Sequence, residues 1–411
     1  MSSANLLQVR ALQEWPDPPK WVTYSTATQV ESCPRQWALQ RGEFPEVWDK
    51  SGYPPRTTLP ILKGRVIHRS VETILNAFRE KNLSAGPEAV LDQLGGYSAV
   101  VEREINKMLK EKVAANPRMQ EQGADLEPTL RESASKLRVH VQRHIVRLDK
   151  IPTPKERATH DQHKTEENRS DGSRRGPLPN GVHAEQWVQA SSVGWGGYID
   201  LLSLSNDHCE ISDIKTGKEK ESHADQVRLY ALFWWLDGEL NPEGRVADTL
   251  RLRYPSETVE VPAPDETQLE DLRNQVKERG EEVRALIDES PPPARPEQER
   301  CSRCDVRHLC DAYWSEETQE RLAGDSTPDF ADVELRLTHS TGPGIWHAQI
   351  LSDGHWRCGE DAIFEVRNGP ERFQNLDEVR ILGAQVLDGP ERGRVVLRKT
   401  RYSEAFLLNR L

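Results

Sequence analysis

Four cysteines in two widely separated groups constrain this chain more than any other feature. Cys33 stands alone in SCPRQW (32–37), and Cys301, Cys304 and Cys310 follow much later in CSRCDVRHLC (301–310). A C-x2-C pair puts two thiols on one turn, and a third five residues on can close around the same centre. A distant fourth turns that centre into a staple across the chain between. Four thiolates suit Zn2+ or a [4Fe–4S] cluster equally by ligand type. Zinc sites usually pair two C-x2-C knuckles, so the 1+3 spacing favours the cluster. Cys209 in HCEISDIK and Cys358 in HWRCGED read as ordinary buried thiols.

With 411 residues the chain has room for two or three domains. Its 36% hydrophobic and 30% charged content, with eleven tryptophans, fits a soluble protein with packed cores and extended loops. No run approaches the ~18 apolar residues of a membrane span, and the N-terminus lacks the basic start and apolar block of a signal peptide. Cytoplasm is the expected compartment, where cysteines serve as ligands more often than as disulfides. The net charge of −12 argues against a protein that coats DNA with a uniformly basic surface.

Residues 1–20 read as an N-terminal tail and 21–42 as a turn and a helix carrying Cys33. Residues 60–80 have a helical apolar period, and 88–115 and 127–150 form further helices of an insertion over about 85–150. The last of these carries Lys136, Arg138, Arg143 and Arg147 with His140 and His144. It is either a solvated face or the wall of a DNA channel. The polar, Pro- and Gly-rich stretch 153–181 predicts a mobile loop. Strand-like segments at 183–190, 195–204, 208–215 and 246–254 alternate with helices at 222–237 and 265–288, an α/β core. After about 326, five short β segments predict a small barrel, an OB-fold or alternatively an SH3-like one. In it Trp346, Trp356, Phe364 and Tyr402 are either base-stacking platforms or core. Arg392, Arg394, Arg398, Lys399 and Arg401 cluster near its end.

Between the cysteine groups lie GRVIH (64–68), GYIDLL (197–202), SDIKTGK (212–218) and QVRLY (226–230). Side chains alternate along a strand, so Asp213 and Lys215 share a face and Asp200 can lie beside them from the neighbouring strand. Such carboxylates can hold Mg2+ or Mn2+, and a lysine can orient a water or stabilise developing charge. His68 is a candidate further metal ligand, and Gly64 would let its helix approach the sheet. Gln226 and Tyr230, four apart, share a helix face and can reach a phosphate or brace the lysine. Singly these signals are weak, since D-x-K triplets at strand ends are common. Their order and strand–turn–strand context give the reading.

That order, H…D…D-x-K…Q-x-x-x-Y, resembles the PD-(D/E)XK nuclease superfamily in its RecB/AddB-like branch. With the 1+3 cysteines and the opening YSTATQVESCPRQW it is similar to the iron–sulfur members, including the CRISPR-associated adaptation exonucleases. The resemblance covers about 21–315 and implies a restriction-endonuclease-like mixed sheet flanked by helices. It implies that His68, Asp200 and Asp213 bind the metal and that Lys215 is catalytic. It matches the family's first-strand glutamate to Glu185, lets Gln226 and Tyr230 position DNA, and assigns Cys33, Cys301, Cys304 and Cys310 to a structural cluster. The expected activity is Mg2+- or Mn2+-dependent hydrolysis, as an exonuclease, of DNA with ends or single-stranded character. Two other readings compete: a nuclease-fold DNA-binding or assembly subunit of a repair or defence complex, and an RNA nuclease. No Walker A run occurs in the sequence, so unwinding would come from a partner such as a helicase.

Overall fold

In a computed structural model the described residues are 6–80, 86–119, 123–148, 175–323, 328–352, 356–366, 373–388 and 395–408. A short strand β1 (Leu7–Val9) precedes helices α1 (Tyr24–Ser32), α2 (Pro34–Arg41) and α3 (Leu59–Glu80). Next come α4 (Gly86–Gln93), α5 (Gly96–Met108), a π-helical turn Leu109–Ala114, α6 (Gly123–Glu132) and α7 (Ala134–Val146). The first sheet comprises β2 (Gly181–Ala190), β3 (Trp195–Leu204), β4 (Cys209–Ile214), β5 (Thr249–Arg253) and β6 (Thr258–Val261), with α8 (Glu221–Leu236) between β4 and β5. Helices α9 (Glu266–Asp288), α10 (Gln298–Arg303) and α11 (Glu316–Leu322) lead to the second sheet. It comprises β7 (Phe330–Gly342), β8 (Ile345–Ser352), β9 (Asp361–Val366), β10 (Glu378–Asp388), β11 (Val395–Lys399) and β12 (Glu404–Leu408). None of the described helices is long and apolar enough to cross a membrane.

The chain around Cys33 is one helix in the sequence reading and two in the structure. Proline disfavours the α conformation in the residue before it, and Pro34 opens α2 at a position where its missing N–H costs nothing. Cys33 is therefore extended, with φ of −159°, and sits in the break between α1 and α2. Thr23 caps α1 by accepting the Thr26 amide at 3.1 Å.

Sheet order is β2-β3-β4-β5-β6, antiparallel except for the parallel β4–β5 pair, which α8 connects as a crossover. Every residue of β4 is buried, because each face of the sheet carries a core. On one face Ile199, Leu202 and Ile211 pack with Val227 and Phe233 of α8 and Val276 and Val283 of α9. On the other, Leu201 and Ile214 pack with Ile67 and Val71 of α3 and Val101 and Val141 of α5 and α7. β6 was not anticipated from sequence; its four residues are too few for a clear alternation.

β7 to β11 close a five-stranded barrel in the order β7-β8-β9-β11-β10, with β10 returning to β7 and β9 parallel to β11. The residues 1–20 are more than a tail. Leu7–Val9 pairs in parallel with Phe406–Leu408 of β12, which extends β10 outside the closed ring. Such a pairing across nearly the whole chain leaves no local sequence signature. Of the four aromatic residues considered as stacking platforms, Phe364 and Trp356 are buried in the barrel core and Trp346 packs partly against it. Tyr402 alone is 64% exposed. Arg398 pairs with Glu365 at 2.8 Å and Lys399 is buried, so neither adds to a basic patch. Arg392 and Arg394 lie outside the described residues.

The barrel packs on the cysteine segment. The Phe406 ring stacks on His308 with centroids 3.9 Å apart, Tyr313 donates to Asp332 at 2.9 Å, and Arg307 pairs with the same carboxylate. Beside them Arg118 makes a bidentate, buried pair with Glu404 at 2.6 and 2.9 Å. Glu404→Gln keeps the shape but leaves a buried guanidinium without its countercharge. We expect it to cost about 2 kcal/mol, read as a lower urea midpoint with an unchanged slope.

Of the basic residues at and after α7, Arg143 and Arg147 donate to the carbonyls of Pro255, Tyr254 and Ser256, and His144 is buried. The expected loop over 153–181 falls largely outside the described residues. Its end is anchored, because Arg175 pairs with Asp237 and Glu239 and Gly181 begins β2.

Candidate active site and thiol centre

Asp200 on β3 and Asp213 on β4 face each other across the antiparallel pair, next to the Leu201–Ser212 partners. Asp200 accepts the Ile214 amide through Oδ2 at 2.6 Å, which leaves Oδ1 turned toward His68 Nδ1 at 3.5 Å. His68 comes from α3, whose Gly64 passes Thr216 closely enough that a Cβ would sit 3.4 Å from its hydroxyl. Glu185 of β2 completes the group, with Oε1 3.2 Å from His68 Nδ1. Its φ of 48° is unusual inside a strand. The ladder skips it, pairing Ala184 with Leu201 and Gln186 with Ile199, so the residue opposite Asp200 is held in a strained conformation. No sequence signal marks that twist.

His68, Glu185 and Asp200 offer ligand atoms that all lie within 4.8 Å of one another, a nitrogen and oxygen set that could hold Mg2+ or Mn2+. The sequence reading put Asp213 in this set and gave Glu185 no metal contact. In the structure Asp213 Oδ2 is taken up by Lys215 Nζ at 2.7 Å. Lys215 donates in turn to Gln226 Oε1 at 2.7 Å, and Gln226 Nε2 donates to the buried Tyr230 hydroxyl at 2.7 Å. The Q-x-x-x-Y pair thus contacts the lysine in series.

The charges are packed closely enough to move one another's protonation. Burial pushes Asp213 up to about 7, with the nearby Asp200 adding to it and Lys215 opposing. Burial likewise raises Asp200 to about 6 against the pull of His68. Burial works to lower His68, but Asp200 and Glu185 outweigh it and raise the imidazole to about 9. For Asp213 the sign is clear. The unfolded carboxyl ionises near pH 4, so its contribution to stability is full below that and is lost as pH climbs through about 7. Raising the pH from 4 to 8 should therefore lower the Tm of the metal-free wild type more than that of Asp213→Asn, which lacks the titrating carboxyl; thermal melts at the two pH values would check this.

Cys33, Cys301, Cys304 and Cys310 line one small cavity, with Arg300, Arg307 and Tyr313 in its wall. Burial raises the Cys304 thiol to about 12 and Cys310 to about 11, and it raises Cys301 as well. Backbone amides of Glu297, Val306 and Tyr313 act on the three sulfurs and offset part of that rise. Thiols buried together, with amides aimed at them, suit metal ligation rather than nucleophilic catalysis. Cys209 is buried as expected, but Cys358 is exposed.

No curated protein matches the chain. Among solved structures, the tetrameric p202 HIN2 shares 17% identity at a TM-score of 0.16, over 20% of this chain and 42% of that one. A murine DNA-binding protein bound to double-stranded DNA shares 8% at 0.17, over 51% and 84%. The p204 HINb domain shares 10% at 0.16, over 57% and 97%. Likeness at this level carries no argument. The sequence pattern of the PD-(D/E)XK nuclease superfamily, by contrast, matches residues 22–311, well over half of the 411. Those bounds enclose His68, Glu185, Asp200, Asp213, Lys215 and all four clustered cysteines. The chain belongs to the PD-(D/E)XK nuclease superfamily.

Proposed function

We propose that the protein is a metal-dependent DNA nuclease, an exonuclease acting on ends or single-stranded stretches, with a structural [4Fe–4S] cluster of the RecB/AddB-like kind. The observation that carries the reading is the convergence of His68, Glu185 and Asp200 beside an Asp213–Lys215 pair. A divalent ion held there would neutralise the phosphate and make a bound water acidic enough to attack. Lys215 supplies a fixed positive charge at that point. Asp213 and Gln226 hold its ammonium in place, so little reorganisation is needed when negative charge develops on the phosphate oxygens. Tyr230 fixes the Gln226 amide so that its oxygen, not its nitrogen, faces the lysine.

For the thiol centre, zinc sites usually pair two C-x2-C knuckles. The four cysteines stand one and three rather than as two such knuckle pairs, which supports the wider cluster over zinc. A centre tying the α1–α2 break to the segment on which the barrel rests would act as a staple. The barrel's strand order, with first, second, third, fifth and fourth strands in sequence around the ring, supports an OB-type barrel. Such barrels hold single strands, and the exposed Tyr402 offers one ring for stacking. A reducing cytoplasm fits the free thiols, and a helicase or a repair or defence complex fits an enzyme with no motor motif of its own.

Anaerobically purified protein, incubated with end-labelled single-stranded DNA, duplex DNA and RNA, tests the substrate class. We expect shortening from ends of single-stranded DNA first. Faster cleavage of RNA would redirect the assignment.

A further inference from the structure

Despite the net charge of −12, positive charge gathers beside the candidate active site. Arg65 and Arg69 lie one turn apart on α3, and His68 lies one turn from Arg65, so all three share one side of the helix. The π-helical turn Leu109–Ala114 packs next to them: its Glu111 accepts from Arg69 at 3.2 Å, and Lys112 follows it. π-helical turns are rare and frequently found at functional sites. Asn116 just beyond this turn donates to the Pro55 carbonyl at 2.9 Å, and Lys50 from the same stretch as Pro55 lies near enough for its charge to act on Lys112. Lys50 sits over the Trp48 ring, 5.5 Å from its centre. The acid Glu111 is engaged by Arg69, and among the described residues Arg65 and Lys112 form no ion pair. Burial, Arg65 and Arg69 together hold Lys112 below the usual lysine range, so the like charges do crowd one another. Glu111 meets part of that charge through Arg69 and also acts on Lys112, and the like charges crowded around it favour a bound polyanion.

We propose that Lys50, Arg65, Arg69 and Lys112, with the Trp48 ring, form a subsite that grips non-scissile phosphates and one base of a single strand leading to the His68 site. The inference rests on the nucleic-acid substrate proposed above and adds where the strand runs. The Trp48 face would stack a base while the cations track the backbone, the usual economy of sequence-tolerant strand binding.

The test is binding of a fluorescent oligothymidylate to the full chain in EDTA, where no cleavage competes, over a range of salt. Each lost phosphate contact removes about 0.7 from the slope of log Kd against log salt. Arg65→Gln with Lys112→Gln should lower that slope by about 1.4, and each single variant by about half as much. Trp48→Leu should weaken binding at least about fivefold with the slope unchanged. Arg273→Gln with Lys277→Gln, on α9 at the opposite face of the sheet from α3, should change neither. Thermal melts identify any variant that misfolds, and the single variants carry the test if the double one does. An unchanged slope in the folded α3 and π-helix variants, or no binding by the wild type, overturns the proposal. Binding with the expected slope change but no hydrolysis in metal would leave the subsite standing and defeat the nuclease reading instead.

Discussion

Lys215→Ala is expected to lower phosphodiester hydrolysis about 10^2- to 10^3-fold while leaving the fold intact. The size follows from what the ammonium does. It is a fixed cation held by Asp213 and Gln226 at 2.7 Å each, and in the proposed reaction it would stand where charge develops on the phosphate. Its removal takes away stabilisation specific to the transition state, so the rate should fall more than the affinity for substrate. A burial account alone would predict the reverse, a loss of stability with proportionate loss of activity. Melting the variant beside the wild type separates the two. Gln226→Ala should give a smaller fall, because it loosens the lysine without removing it.

The second large effect concerns the thiol centre. In the proposed centre Cys304→Ser would remove one of four thiolate ligands, and metal binding of structural kind contributes on the order of 10 kcal/mol to folding. Loss of the centre should remove the brown colour and the absorption near ~400 nm, and should leave buried thiols facing a cavity with nothing to ligate. Loosening should begin where the centre holds two elements together, at the α1–α2 break and at the His308–Phe406 stack beneath the barrel. Limited proteolysis should then open cuts between α9 and α11. Cys358→Ser, at an exposed thiol, should be silent by the same assays. A colourless wild-type protein with bound zinc would keep the staple but change its metal.

Much of the site was legible because its chemistry is local. The strand–turn–strand context placed Asp200 opposite Asp213, and the D-x-K spacing put Lys215 on the same face, since both follow from the period of two. The i, i+4 spacing of Gln226 and Tyr230 put them on one helix face, and the structure shows that face turned to Lys215. Less legible were features set by distant contacts. Glu185 gains its place from a left-handed backbone twist inside β2, which no residue preference announces. The strand Leu7–Val9 exists only because β12, almost four hundred residues later, offers an edge. The basic residues of α7 seemed available for DNA, yet Arg143 and Arg147 are spent on carbonyls of the β5–β6 turn.

The central claim is that the His68, Glu185 and Asp200 group, served by Lys215, cleaves phosphodiester bonds with a divalent ion. The measurement that meets it most directly is a time course on end-labelled single-stranded DNA with Mn2+, with Mg2+ and with EDTA, using wild type and Lys215→Ala in parallel. Wild type should shorten the strand in metal and leave it intact in EDTA, and the variant should react at least about a hundredfold more slowly. Tight binding of the strand with no cleavage in either metal would contradict it.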